Sequence, residues 1–186
     1  MGDPLKDMSD ITPTPGNTDV NTGRYGCTRR DKRKTCGGVR GKRFHDGLDI
    51  SAHNGTYVFS AFEGKVVAVE SSFEINAYGW RSYGNYVTIE SINDSGGQFR
   101  IKYNHLDKVF VSLGAIVGPG YLLGQSGTTG NASDQNRKKD ELRVTPHVHI
   151  QTSIRVNGSW YSKNPEEILN SSYNSNGTMT SNPCVN

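Results

Sequence analysis

Long apolar runs are missing from this chain. Its 186 residues hold no stretch of the roughly 18 consecutive apolar residues that a membrane helix requires, which excludes a helical membrane span. The opening MGDPLKDMSDITPTPG has no apolar h-region, so no secretory signal peptide is visible. Helical periodicity is nearly absent, and with Gly at 22 positions this argues against a helix-rich fold. Cysteine is sparse: Cys27, Cys36 and Cys184, without the C-x-x-C spacing of a zinc ribbon. The odd count points to one disulfide and one free thiol. Cys27 and Cys36 flank a polar loop and can pair; Cys184 can pair with either instead; all three can also remain reduced. A disulfide would fit an extracytoplasmic destination.

The net charge is only +3, but the basic residues cluster. RRDKRKTCGGVRGKR (Arg29 to Arg43) contains a single acidic residue, Asp31. Such a run can attract nucleic acid or another anionic polymer. It lacks interleaved aromatic residues for stacking on bases, so it reads first as a solvated basic loop, and no nucleic-acid partner is expected.

What the chain does have is a strand pattern. Residues 1–24 are rich in Pro, Thr, Asn, Asp and Gly and read as a flexible N-terminal arm. Beyond them YVFSAFEGKVVAVES splits into two short runs at Glu63–Gly64. NYVTIES and FRIKYNHL are joined by INDSGGQ as a hairpin, and HVHIQTSI leads through Asn157–Gly158 into another. Only NPEEIL reads as a helical turn, with Asn164 as N-cap and Pro165 in first position. The expected fold is all-β, with short antiparallel strands. A charged segment, 131–145, and a polar C-terminal tail, 171–186, interrupt or end the pattern.

Histidine is also scarce, five in all, and four of the five fall at informative places. On a strand, alternate residues share a face, so PHVHIQ projects His147 and His149 together while Val148 and Ile150 face the other way. RFHDGLDISAH sets His45 and Asp49 four residues apart, again on one face, with Asp46–Gly47 allowing a bend. YNHLDK places His105 at the end of a strand. Neutral imidazole and carboxylate are good zinc ligands. A catalytic zinc takes three protein ligands and leaves a position for water, and a hydrolase needs further groups to move a proton and stabilise an oxyanion. Four histidines and one aspartate supply three ligands and two helpers, with only His53 left over.

Taken together, HDGLD (His45 to Asp49), YNHLD around His105 and HVH (His147 to His149) resemble the lysostaphin-type zinc metallopeptidases of bacterial cell walls. GTYVFSAFEGKVVAV, GNYVTIE and GQSGTTGNAS between them resemble the family's text, and the resemblance covers about residues 37–155. It implies a β-sandwich-like antiparallel core with a groove above a Zn2+ ion, and a zinc peptidase domain over residues 25–170. It implies that His45, Asp49 and His149 hold the zinc, while His105 and His147 flank its open position and handle the water and the tetrahedral intermediate. It implies endopeptidase action on peptidoglycan stem peptides or crosslinks: D-alanyl–diaminopimelate in many members, glycine bridges in a few.

One departure is the segment NASDQNRKKDELRVT (Asn131 to Thr145), which separates the Gly/Ser/Thr loop from the His-x-His pair and would edge the groove. Tyr78, Trp80 and Tyr83 are candidates for lining that groove. Asp46 reads as a turn residue, His53 as a surface residue. A monomeric enzyme of wall remodelling is expected. An antibacterial toxin with a cognate immunity protein, and a catalytically inactive scaffold or activator, are the alternatives.

Overall fold

β-Branched and aromatic residues alternating with polar ones put most of the chain into strands, as their packing on a pleated surface favours. The computed structural model describes residues 2–9, 11, 20–135 and 146–181. In chain order the strands are β1 (Gly26–Cys36), β2 (Val39–His45), β3 (Leu48–Ser51), β4 (Tyr57–Phe59), β5 (Gly64–Glu70), β6 (Asn85–Ile92) and β7 (Gln98–Val109). They continue as β8 (Ile116–Val117), β9 (Leu122–Ser126), β10 (His147–Val156), β11 (Ser159–Lys163), β12 (Ser171–Tyr173) and β13 (Met179–Ser181). Helical geometry among the described residues is confined to 3-10 turns at Val20–Gly23 and Pro165–Glu167. In the second, Asn164 accepts a hydrogen bond from the Glu166 backbone N–H, as the N-cap reading expects.

Nine strands form one antiparallel sheet in the order β11-β10-β7-β6-β5-β8, with β3 on β10, and β9 between β4 and β7. The long strand β7 changes partners at His105. Its first part, Phe99 to Asn104, pairs with β10, and Leu106 onward pairs with β9. His105 has φ +62°, in the left-handed region, and its N–H donates to the Tyr83 carbonyl instead of to the ladder. The sheet forks at this residue and wraps over itself, enclosing Leu48, Ile50, Val58, Val66, Val87, Ile89, Ile101, Tyr103, Leu106, Leu123, Val148 and Ile150. Fully burying each such side chain contributes about 1.5–3 kcal/mol. The fork leaves the histidine face of β10 open to other side chains.

Two expectations need correcting. The N-terminal segment is not a free arm over its described residues: Leu5, Met8 and Ile11 enter the core, Ile11 bridges Ile50, and the Phe59 N–H donates to the Pro4 carbonyl. The beginning of the polar tail is docked as well. Ser171 donates to the Asp3 carboxylate, and the buried Tyr173 donates its hydroxyl to the Met8 carbonyl. Segment and tail clamp each other, so their few apolar residues outweigh their polar composition.

The basic run, finally, is a β1–β2 hairpin and not a loop. Its two-residue turn is Gly37–Gly38, both at positive φ as a tight hairpin demands. β1 breaks register between Gly26 and Arg29 and again between Arg30 and Thr35. The chain folds back there enough to bring Cys27 and Cys36 to a Cα–Cα distance of 5.5 Å, where they form a disulfide; a straight strand would hold them about 30 Å apart. Cys184 lies outside the described residues.

Candidate metal centre

Ladder register brings the site together. β3 runs antiparallel to β10 with Asp49 opposite His149 and Ser51 opposite His147. His45 ends β2, and Asp46–Gly47 turn the chain into β3. That turn presses against β10. A Cβ on Gly47 would stand 2.4 Å from the Ile150 carbonyl oxygen and 2.6 Å from His149 Cε1, so only glycine fits.

Three donor atoms converge. Asp49 Oδ1 lies 2.6 Å from His149 Nδ1 and 3.3 Å from His45 Nε2, and the two nitrogens are 3.2 Å apart. All three residues are buried. His45 Nδ1 lies 2.9 Å from the Arg24 carbonyl oxygen. A carbonyl only accepts, so Nδ1 carries the proton and Nε2 turns its lone pair to the cluster. Arg29 confirms that polarity: its Nη2 donates to His45 Nε2 at 2.9 Å and also to Asp49 Oδ2, with which it forms an ion pair. Two imidazole nitrogens and a carboxylate oxygen at one buried point are a donor set that could hold a divalent metal.

A second carboxylate, Asp46, is also near enough to group with His45 and His149, all donor atoms lying within 4.8 Å. Asp49 sits deeper than Asp46. Its carboxylate is almost wholly buried and meets both histidines on one oxygen, whereas the Asp46 side chain is 44% exposed and approaches His149 from the opposite ring edge, Oδ1 to Nε2 at 3.6 Å.

Electrostatics follow the geometry. Burial opposes charge on Asp49, yet His147, His45 and Arg29 hold its carboxyl well below the usual range. Burial works against a charged His149 too; Asp46 and Asp49 outweigh it and raise its pKa. Each ring nitrogen of His149 thus faces a carboxylate, Asp49 at Nδ1 and Asp46 at Nε2.

His105 and His147 stand beside the cluster, both buried. Their rings are 5.1 Å apart in a T-shaped arrangement, and the His105 ring centroid is 5.9 Å from that of His149. His147 Nε2 lies 3.8 Å from Asp49 Oδ1. His105 Nδ1 donates to the Thr129 carbonyl at 3.0 Å, leaving Nε2 with a lone pair. Burial, followed by the charges of His147 and His149, pushes its pKa well below the ordinary histidine value. A neutral buried imidazole in this position can accept a proton.

The structure therefore brings together His45, Asp49, His105, His147 and His149. His53 is exposed and stands apart. Of the three aromatic candidates, Tyr83 reaches the cluster: its ring lies parallel to that of His149 at 5.4 Å. Trp80 is 74% exposed on the loop leading to it. The charged segment begins with Ala132 and Ser133 buried; its residues 136–145 lie outside the described residues. Sequence reasoning missed Arg29 and Gln151. Gln151 shares strand parity with His147 and His149, a signal that could have found it. No pattern marks Arg29, whose position depends on the irregular register of β1.

The sequence profile described as Peptidase family M23 matches residues 43–162. Glycyl-glycine endopeptidase ALE-1 of Staphylococcus capitis is 30% identical over 139 residues, which are 74% of this chain and 33% of that protein. Peptidoglycan DD-endopeptidase ShyA of Vibrio cholerae is 32% identical over 112 residues, 60% of this chain and 20% of that one. The chain thus spans a third or less of the length of these two relatives. Among solved structures, the catalytic domain of the prophage-encoded M23 protein EnpA from Enterococcus faecalis, a mutant form, superimposes with a TM-score of 0.50. It is 23% identical, with 85% of this chain and 97% of that one covered; this likeness is one of fold.

Proposed function

The chain belongs to peptidase family M23, and on that premise we propose that it is a zinc-dependent endopeptidase hydrolysing peptide bonds of bacterial peptidoglycan, outside the cytoplasm. One observation carries the proposal: His45 Nε2, Asp49 Oδ1 and His149 Nδ1 lie within 3.3 Å of one another at a buried point, with His105 and His147 alongside. The names of the two relatives, a glycyl-glycine endopeptidase and a peptidoglycan DD-endopeptidase, support the substrate class.

His45, Asp49 and His149 would hold the zinc. Bound there, zinc supplies a Lewis acid that polarises a peptide carbonyl and acidifies water. The remaining chemistry belongs to the chain. His105, with Nδ1 anchored on Thr129 and Nε2 free to accept, takes the proton of the attacking water and returns it to the leaving amine. His147, 5.1 Å away ring to ring, stabilises the charge that develops on the carbonyl oxygen. An inactive relative used as a scaffold is the weaker reading, because all five side chains are present and assembled.

The test is mass spectrometry of muropeptides released from diaminopimelate-type and glycine-bridged walls by zinc-loaded protein, with and without chelator. New peptide termini that vanish with chelator are expected, and the wall that yields them identifies the bond. Intact peptides from both walls would sink the proposal.

A further inference from the structure

Resting on that reading of the metal site, we infer that Asp46 is a positioning residue that fixes His149 as a ligand through Nδ1. A histidine that binds metal through Nδ1 must keep its proton on Nε2, and the partner of that second nitrogen sets both tautomer and ring orientation. His149 Nε2 is buried and has no hydrogen-bond partner among the described residues. Asp46 Oδ1 faces it at 3.6 Å, just beyond hydrogen-bond distance.

Asp46 is held for this task. Its other oxygen, Oδ2, accepts hydrogen bonds from the Tyr83 hydroxyl at 2.9 Å and from Gln151 Nε2 at 2.6 Å. Gln151 also donates to the Tyr83 oxygen at 3.0 Å, closing the triangle. Tyr83 links this triangle to the ligand a second way, since its ring lies within 6° of parallel to the His149 ring. Carboxylate and stacked ring thus constrain the imidazole in two directions: one fixes where the proton sits, the other fixes the ring plane. The alternative tautomer, with the proton on Nδ1, would leave the Nε2 lone pair facing a carboxylate and the metal-facing atom blocked. A move of a few tenths of an ångström closes the contact between Nε2 and Asp46 once Nδ1 is committed to the metal.

Asp46→Ala, Asp46→Asn and Tyr83→Phe should be compared with the wild type by competition of zinc against a chromophoric chelator at fixed pH. The 15N spectrum of the His149 ring in the zinc-loaded proteins gives the second readout. Loss of such an outer carboxylate weakens zinc binding about 10–100-fold, which is expected for Asp46→Ala, with a slowly exchanging Nε2 proton seen in the wild type and lost in this variant. Asp46→Asn keeps an acceptor and should recover part of the affinity and the protected proton. Tyr83→Phe keeps the stacked ring and should lose less than Asp46→Ala. Equal affinity and an unchanged His149 spectrum in Asp46→Ala would overturn the inference while leaving the metal site intact. Failure of the wild type to take up zinc would instead overturn the reading on which it rests.

Discussion

Two polar regions reach the same point by opposite routes. β3 and β10 deliver Asp49, His147 and His149 through a regular antiparallel ladder, in which register alone decides which side chains meet. The β1–β2 hairpin delivers Arg29 from a strand with two register breaks, closed on itself by a disulfide. The first region is buried on both faces, with core residues beneath and histidines above; the second is half-buried or exposed at every position before His45. A ladder fixes its side chains to the sheet, so its residues suit a role that demands constant geometry. A hairpin fixes its side chains only to itself, so the contact it makes is replaceable.

Breaking the ladder side of this comparison should have the largest effect. Asp49→Ala or His149→Ala removes one of the three proposed ligands from a buried point, and zinc content measured by atomic emission should fall from about one per chain to near zero. Wall-digesting activity should disappear with it. Full zinc content in either variant would contradict the ligand assignment. His105→Ala comes next. It lies on β7 at the fork, beside the proposed ligands and not among them, so zinc should stay bound while turnover of a wall substrate falls about 10²–10⁴-fold, the range typical of a lost general base. Wild-type turnover would remove His105 from its role.

Acid should act on the same side, with a smaller and graded effect. On the proposed site zinc has to displace the proton from His149, and Asp46 and Asp49 hold that proton more tightly than it is held on an ordinary histidine. A raised pKa means that competition sets in earlier as pH falls. Apparent zinc affinity should therefore weaken already above the ordinary histidine value of about 6.5, approaching about tenfold per pH unit below the titration. A zinc-binding titration that stays flat from neutral pH down to about 6 would contradict the raised value.

How much of this was legible in the sequence follows the same divide. Alternation along HVHIQ, the hairpins around Asn93–Gly97 and Asn157–Gly158, and the Asn164 cap are local, and the structure has each of them where the pattern puts it. The all-β class follows from them. Pairing of Asp49 with His149, 100 residues apart, is not local, but it follows once β3 is set beside β10 with Asp49 on the face that carries the β10 histidines. Leu5, Met8 and Ile11 were hidden because three apolar residues in a polar segment have no period of their own; only the sheet beneath them gives them a place to be buried. Asp46 looked like a turn residue because its partners Tyr83 and Gln151 come from two other elements. Arg29 looked like one basic residue among many, and nothing short of the bulged register separates it from Arg30 or Arg33.

The smallest predicted effect falls on the hairpin and runs in the opposite sense to the others. Arg29 donates to His45 Nε2, a lone pair that a metal would claim on the proposed site, and to Asp49 Oδ2, the carboxylate oxygen not turned to the histidines. A guanidinium and a divalent cation cannot share the single lone pair of His45 Nε2, so metal binding must displace that contact of Arg29. Its side chain is only 14% exposed in place, but it stems from an exposed hairpin, and rotation into water lets it recover hydration. That recovery limits the competition to far less than the several kcal/mol of two bare charges at contact. Arg29→Ala should therefore tighten zinc binding by about three- to tenfold, read by the same chelator competition, whereas every ladder substitution loosens it. Reduction of the Cys27–Cys36 disulfide, which frees the hairpin without touching the charge, should move zinc affinity in the same direction and by less. If Arg29→Ala weakens zinc binding instead, the residue supports the ligands and does not compete with the metal for them, and the contrast between ladder and hairpin fails at its most specific point.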